Sequence, residues 1–220
     1  MSCETCAAAC PAAKGTRTSG GQGAGVAVAL LGQPNSGKST LFNGLTGARQ
    51  HVGNWPGKTV ERKEGSFRIG DTQCRVVDLP GAYGLSANSP EEEVTRDYLE
   101  SGDADVVVVM ADASQLERSL YMLAEFAAAH PEQPSLLALN LMDVAEGQGK
   151  RIDSALIEQR LGIPVVPLVA SRPKGYGNLL CAIERTARER PSIDDDRLRR
   201  EMSSAPATAQ GAGKARFAWI

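Results

Sequence analysis

Gly32-Gln33-Pro34-Asn35-Ser36-Gly37-Lys38-Ser39 stands between an apolar run, Val26-Ala27-Val28-Ala29-Leu30-Leu31, and an amphipathic stretch from Ser39 to Thr46. The octet satisfies G-x-x-x-x-G-K-[ST], and a strand before it with a helix after it is the context in which that pattern has a physical meaning. Its glycines let backbone N–H groups wrap a phosphate and aim the positive end of the following helix at it. Lys38 would then reach the β and γ phosphates, and the Ser39 hydroxyl would ligate Mg²⁺. A glycine-rich turn that binds nothing is the plain alternative, and the flanking strand and helix weigh against it.

Outward from that octet, short apolar runs alternate with amphipathic stretches. Ala104 to Ala111, Ser135 to Asn140 and Pro164 to Val169 have the continuous apolar character of strands buried on both faces. Ser114 to His130, Asp153 to Leu161 and Gly177 to Arg188 carry the helical period. Thr59 to Ile69 and Thr72 to Asp78 break the alternation; with Gly70-Asp71 between them, they predict a hairpin that adds one antiparallel strand. Ser89-Pro90-Glu91-Glu92 predicts a helix running to about Glu100, with Ser89 as cap, Pro90 at the first position and Glu92 closing a capping box. Together these elements predict an α/β fold: a mostly parallel six-stranded sheet with one antiparallel strand and helices on both faces.

Three further segments fall at predicted strand ends, where ligands collect in such sheets. Asp78-Leu79-Pro80-Gly81 supplies a second carboxylate on the Mg²⁺ side and a glycine able to sense a γ-phosphate, although D-x-x-G alone is also an ordinary turn. Asn140-Leu141-Met142-Asp143 ends Ser135 to Leu139. A carboxylate there accepts from guanine N1–H and the 2-amino group together, whereas adenine N1 presents a lone pair that repels it. Readout of this kind discriminates by roughly 10⁴ or more, so the nucleotide is GTP or GDP. Ala170-Ser171-Arg172 follows the last strand and would offer a backbone N–H to guanine O6, the weakest of the four signals.

These residues resemble a known family. Gly32 through Asn43, Leu45-Thr46-Gly47, Val52 through Glu61 with its Gly53-Asn54-Trp55-Pro56-Gly57 core, Asp78 through Tyr83, Ser89 through Glu92, Arg96-Asp97-Tyr98 and Asn140 through Asp143 are similar to the cytoplasmic G domain of the bacterial ferrous-iron transport family FeoB, over about residues 26–190. The resemblance implies a Ras-like P-loop GTPase fold and a Mg²⁺-dependent, K⁺-stimulated switch. Nucleotide would be held by Gly32, Asn35, Ser36, Gly37, Lys38, Ser39, Thr40, Gly53, Trp55, Thr59, Asp78, Gly81, Asn140, Asp143, Ala170 and Ser171. Lys38, Thr59 and Asn35 would be catalytic; Ser39, Thr59 and Asp78 would hold Mg²⁺. Thr59 would be the switch I threonine, and Asn35 would ligate K⁺ with backbone carbonyls around Gly53 and Trp55. The structural alternatives are a loop-internal hydrogen bond for Asn35 and an aromatic anchor for Trp55. Ala82 stands where many GTPases carry a water-orienting glutamine, which implies slow intrinsic hydrolysis. Lys58 departs from the small apolar residue usual in the family, which bears on switch I mobility. The family usually continues into a helical domain and membrane spans, so the implied partner is a membrane-embedded portion of the same polypeptide, at the cytoplasmic face of the inner membrane; self-association is left open.

Composition bounds the alternatives. With 220 residues, 42% hydrophobic and 23% charged, the chain can bury a real core, and a net charge of −2 argues against an electrostatic nucleic-acid binder. Cys3, Cys6 and Cys10 crowd the first ten residues, with only Cys74 and Cys181 beyond, which is not the even set of a secreted disulfide scaffold. A metal or cluster on the first three lacks a fourth ligand; Cys74 and Cys181 read as buried, and His51 and His130 as solvent-exposed. Residues 1–25 read as a flexible tail, 26–190 as the G domain, and 191–220 as the remnant of a helical domain and linker, with a short charged helix from Pro191 to Met202. A soluble ribosome-associated GTPase and a GTP-binding module with little hydrolysis are the competing functions. The first would carry a basic RNA-binding appendage; the intact Lys38, Ser39, Thr59 and Asp78 weigh against the second.

Overall fold

The computed structural model describes residues 25–47, 49–85, 89–172, 175–193 and 200. The cysteine-rich start and the expectations for 194–199 and 201–220 lie outside the described residues. Along the chain run β1 (Val26–Gly32), α1 (Lys38–Thr46), β2 (Gln50–Asn54), β3 (Glu61–Ile69), β4 (Thr72–Asp78), α2 (Pro90–Ser101) and β5 (Val106–Asp112). A 3₁₀ turn at Ala113–Gln115 leads into α3 (Leu116–Ala129), then β6 (Ser135–Asn140), α4 (Met142–Gly147), α5 (Ser154–Leu161), β7 (Val165–Pro167) and α6 (Tyr176–Glu189).

The sheet has seven strands in the order β2-β3-β4-β1-β5-β6-β7. β3 alone runs against the rest, pairing antiparallel with both β2 and β4. Gly70, with φ 55°, opens the two-residue β3–β4 turn, as tight hairpins require. The seventh strand, β2, is the difference from the sequence reading: Gln50-His51-Val52-Gly53-Asn54 shows no apolar alternation because it is an exposed edge strand whose only neighbour is β3.

Period two along the strands splits the core. Val28, Leu30, Val76, Val108 and Leu136 pack on Leu41 and Phe42 of α1 and Leu179 and Ile183 of α6. Ala29, Leu31, Val77, Val109 and Leu137 pack on Val94 and Tyr98 of α2 and Met122, Leu123 and Phe126 of α3. Each fully buried large apolar side chain contributes about 1.5–3 kcal/mol. Two placements correct the sequence reading. Cys181 is exposed on α6, and His130 is half-buried against Phe126, with ring centroids 5.8 Å apart. Among the described residues no helix is long and apolar enough to cross a membrane.

Register sets the functional edge. Leu30 faces Asp78, Gly32 faces Met110 and Asp112 faces Asn140, so the ends of β1, β4, β5 and β6 finish side by side.

Candidate nucleotide site

α1 and α2 begin in opposite ways. α2 supplies its own cap: Ser89 Oγ accepts the Glu92 N–H at 3.2 Å, and three glutamates fill the first turn. α1 starts from left-handed Gly37 (φ 89°) with no side-chain cap and no acidic residue in its first turn. Its leading N–H groups therefore point into a cleft of about 530 Å³ lined by Gln33, Pro34, Asn35, Gly37, Lys38, Ser39, Thr40 and Gly81. The buried Ser36 hydroxyl in the same loop has no hydrogen-bond partner among the described residues. Close approach dictates the glycines: a Cβ on Gly32 would sit 2.9 Å from the Met110 carbonyl oxygen, and one on Gly37 would sit 2.0 Å from Asn140 Nδ2.

Asp78 joins the loop to β4. Its Oδ1 lies 2.9 Å from Lys38 Nζ, in an ion pair whose side chains are 8% and 6% exposed, and its Oδ2 accepts from Ser39 Oγ at 3.1 Å. A buried cation, a carboxylate and a hydroxyl thus meet at the uncapped helix start. One carboxylate and one hydroxyl suit Mg²⁺, which keeps waters and takes its remaining ligands from substrate phosphates. Gly81 lies against this loop, its ideal Cβ 3.2 Å from Pro34 Cα. Ala82 points into the core at 2% exposure rather than toward the cleft.

Asn140 is a strut. Its Nδ2 donates to the Ser36 carbonyl at 2.8 Å, and its Oδ1 accepts the Ala170 N–H at 2.8 Å, which ties the phosphate loop to the turn after β7. Of the three N–H groups in Ala170-Ser171-Arg172, where a donor to guanine O6 is expected, that of Ala170 is therefore already engaged and that of Arg172 is donated to the Val169 carbonyl. Tyr176, which the sequence reading missed, donates its hydroxyl to the Ala170 carbonyl at 2.8 Å. Burial pushes this phenol above its ordinary pKa, which keeps it a donor. Gly44 on α1 gives it room, since a Cβ there would meet Tyr176 Oη at 2.0 Å. Asp143 accepts the Val144 N–H at 3.0 Å and pairs with Arg172 at 3.3 Å. Left-handed backbone occurs at Asn35 (φ 65°) in the loop before α1 and at Leu141 (φ 61°) after β6.

Gly53, Trp55 and Thr59 are not among the residues lining the cleft. Trp55-Pro56-Gly57-Lys58 forms a type II turn, with the Lys58 N–H donated to the Trp55 carbonyl and Gly57 at φ 70°. The Trp55 ring is buried edge-on to Tyr98 at 5.5 Å, under the Arg62 guanidinium at 4.6 Å. Lys58 pairs with Glu93 of α2 at 2.6 Å. Thr59, exposed, lies between anchored Lys58 and buried Val60.

A sequence model of the ferrous iron transport protein B family matches residues 26–183. The Fe(2+) transporter FeoB of Salmonella typhimurium is 51% identical over 162 residues, 72% of this chain and 21% of that protein. The cytosolic domain of T. maritima FeoB in its GMPPNP form superposes with a TM-score of 0.72 at 42% identity, over 76% of this chain and 66% of that one. The GDP form I of the same domain gives 0.72 at 41% identity, over 79% and 67%.

Proposed function

This chain belongs to the ferrous iron transport protein B family, and from that premise we propose that it binds GTP and hydrolyses it to GDP and phosphate as the switch domain of a ferrous-iron transporter. The observation that carries the reading is the Lys38–Asp78–Ser39 cluster at the uncapped start of α1. Solved relatives in GMPPNP and GDP forms support it. The chain spans 21% of the length of the curated relative it matches, so transport belongs to a longer polypeptide and this unit to its cytoplasmic face. Residues 26–190 form the nucleotide-binding unit in this proposal.

Each residue has a role. Lys38 turns to the β and γ phosphates, while Ser36 and the N–H groups through Thr40 cradle them. Ser39 and Asp78 would hold Mg²⁺, joined by Thr59 when switch I closes; when bound, the ion would supply charge neutralisation at the phosphates. Asp143 reads the guanine edge, and Ser171 offers the N–H toward O6. Gly81 senses the γ-phosphate. Water attacks the γ phosphorus, the bond to the bridging oxygen breaks and GDP departs. Inward-facing Ala82 gives that water no polar partner, so the intrinsic rate is slow. Asn35 would be the side-chain ligand for a stimulating K⁺.

The test is competition between nucleotides. A fluorescent GDP analogue should be displaced by GTP and not by ATP, and Asp143→Ala should weaken guanine nucleotides by about 100-fold or more while leaving the fold intact. Equal affinity of the wild type for ATP and GTP would overturn the assignment. Transport is tested in the full-length polypeptide, where Lys38→Ala should abolish ferrous-iron uptake at unchanged expression.

A further inference from the structure

Glu125 sits in the middle of α3 at 2% exposure, among Met122, Leu123 and Phe126 of the buried core. A carboxylate is expensive in such surroundings unless its oxygens are used. Glu125 Oε2 accepts the backbone N–H of Leu85 at 2.7 Å, forty residues away in sequence. A Cβ on Gly84 would lie 2.8 Å from the same oxygen and 3.5 Å from the other two carboxyl atoms. The carboxylate is therefore pressed against the Gly84-Leu85 backbone, and glycine at 84 is what lets it approach.

Leu85 ends the segment that begins at Asp78. At its start the Leu79 N–H is donated to the Leu30 carbonyl at 3.1 Å, and Thr95 of α2 donates to the Pro80 carbonyl at 3.4 Å. At its end the Leu85 side chain is buried and its N–H is held by Glu125. Gly81 lies between these two anchors. We infer that Glu125 is a positioning residue for the γ-phosphate-sensing segment: it anchors Leu85 and confines rearrangement around the nucleotide to the short link from Gly81 to Gly84. The inference rests on the GTP reading proposed above. Loss of the anchor lengthens the mobile link, so Gly81 meets the γ-phosphate less often, while GDP, which lacks that phosphate, is bound as before.

Three variants test it: Glu125→Ala, Glu125→Gln, which keeps a carbonyl acceptor in the same place, and Gly84→Ala, which displaces the carboxylate without touching α3. Glu125→Ala should raise amide exchange at Leu85 about tenfold and lower the single-turnover GTP hydrolysis rate about tenfold, with GDP affinity kept within about threefold. Glu125→Gln should recover most of the rate, and Gly84→Ala should reproduce the alanine phenotype. Unchanged exchange and rate in Glu125→Ala would overturn the inference. So would a parallel loss of GDP affinity and rate that Glu125→Gln does not rescue, since that is the signature of a merely structural role. If Glu125→Ala does not fold, Gly84→Ala decides by the same readouts. A wild type that binds GDP and is matched by Glu125→Ala in both exchange and rate defeats this inference alone, whereas a wild type that binds no guanine nucleotide defeats the GTP reading.

Discussion

Asn140 commits both ends of its amide to backbone groups 104 and 30 residues away, and the site coheres through it. Replacing it with alanine strands the Ser36 carbonyl and the Ala170 N–H in a buried setting. Each orphaned group costs about 1–3 kcal/mol, so Asn140→Ala should lose about 2–6 kcal/mol of unfolding free energy even without nucleotide. Urea unfolding measures this as a lower midpoint at constant slope. A loss below about 1 kcal/mol would show that water replaces both bonds and that the strut is dispensable. Lys38 and Asp78 are bound by the same logic, because either one alone is a buried uncompensated charge.

Between β2 and β3 the chain is held on α2 by an indole ring, a buried valine and the Lys58 ammonium, which pairs with Glu93 at 2.6 Å and with Asp97 at 4.0 Å. In the proposed closure of switch I, Thr59 would leave its place beside α2 for Mg²⁺, and these contacts would oppose that movement. The Lys58–Glu93 pair is 28% and 45% exposed, which limits it to about 0.2–1 kcal/mol. Lys58→Ala should therefore raise GMPPNP affinity relative to GDP by at most about fivefold, readable by nucleotide titration. No change in that ratio would mean that the pair does not oppose closure. Cation dependence is proposed above through Asn35, in the loop between β1 and α1. Hydrolysis should run faster in K⁺ than in Na⁺ at equal ionic strength, and Asn35→Asp should alter that preference while GDP still binds. Identical single-turnover rates in the two salts would leave Asn35 a structural loop residue.

Across the whole molecule, the sheet separates chemistry at one edge from plain stability at the other. α3 leaves the functional edge after β5 and ends at His130 on the far side. Burial holds the His130 imidazole below its ordinary pKa, with Glu100 opposing weakly. The unfolded chain therefore takes up this proton first as pH falls, and stability drops through the ordinary histidine range near 6.5 and levels off below the folded value. His130→Gln should flatten the dependence of unfolding free energy on pH between about 7 and 5 and leave GDP affinity unchanged. A mutant with the wild-type slope would show that His130 is protonated alike in both states.

Much of this was legible along the chain. The phosphate loop between β1 and α1, the β3–β4 hairpin and the Ser89 cap are contiguous signals, in which spacing alone dictates backbone geometry and which charge meets which dipole. Apolar runs likewise announced β5 and β6, which are buried on both faces. The edge strand β2 was silent, because a strand with one neighbour and two wet faces needs no hydrophobic pattern. Cys181 reads in sequence as a buried residue and is exposed, while Glu125, on which the sequence reading made no statement, is buried in α3. Helical period gives the existence of a face, but which residues it buries depends on what is laid over it, here the segment from Leu79 to Leu85. Tertiary structure alone decided that Asn140 serves the protein backbone, that Trp55 is held by Tyr98 and Arg62, and that Ala82 faces inward. Each depends on a partner tens of residues away, and such pairings exist only once parallel strands have brought their ends to a common edge.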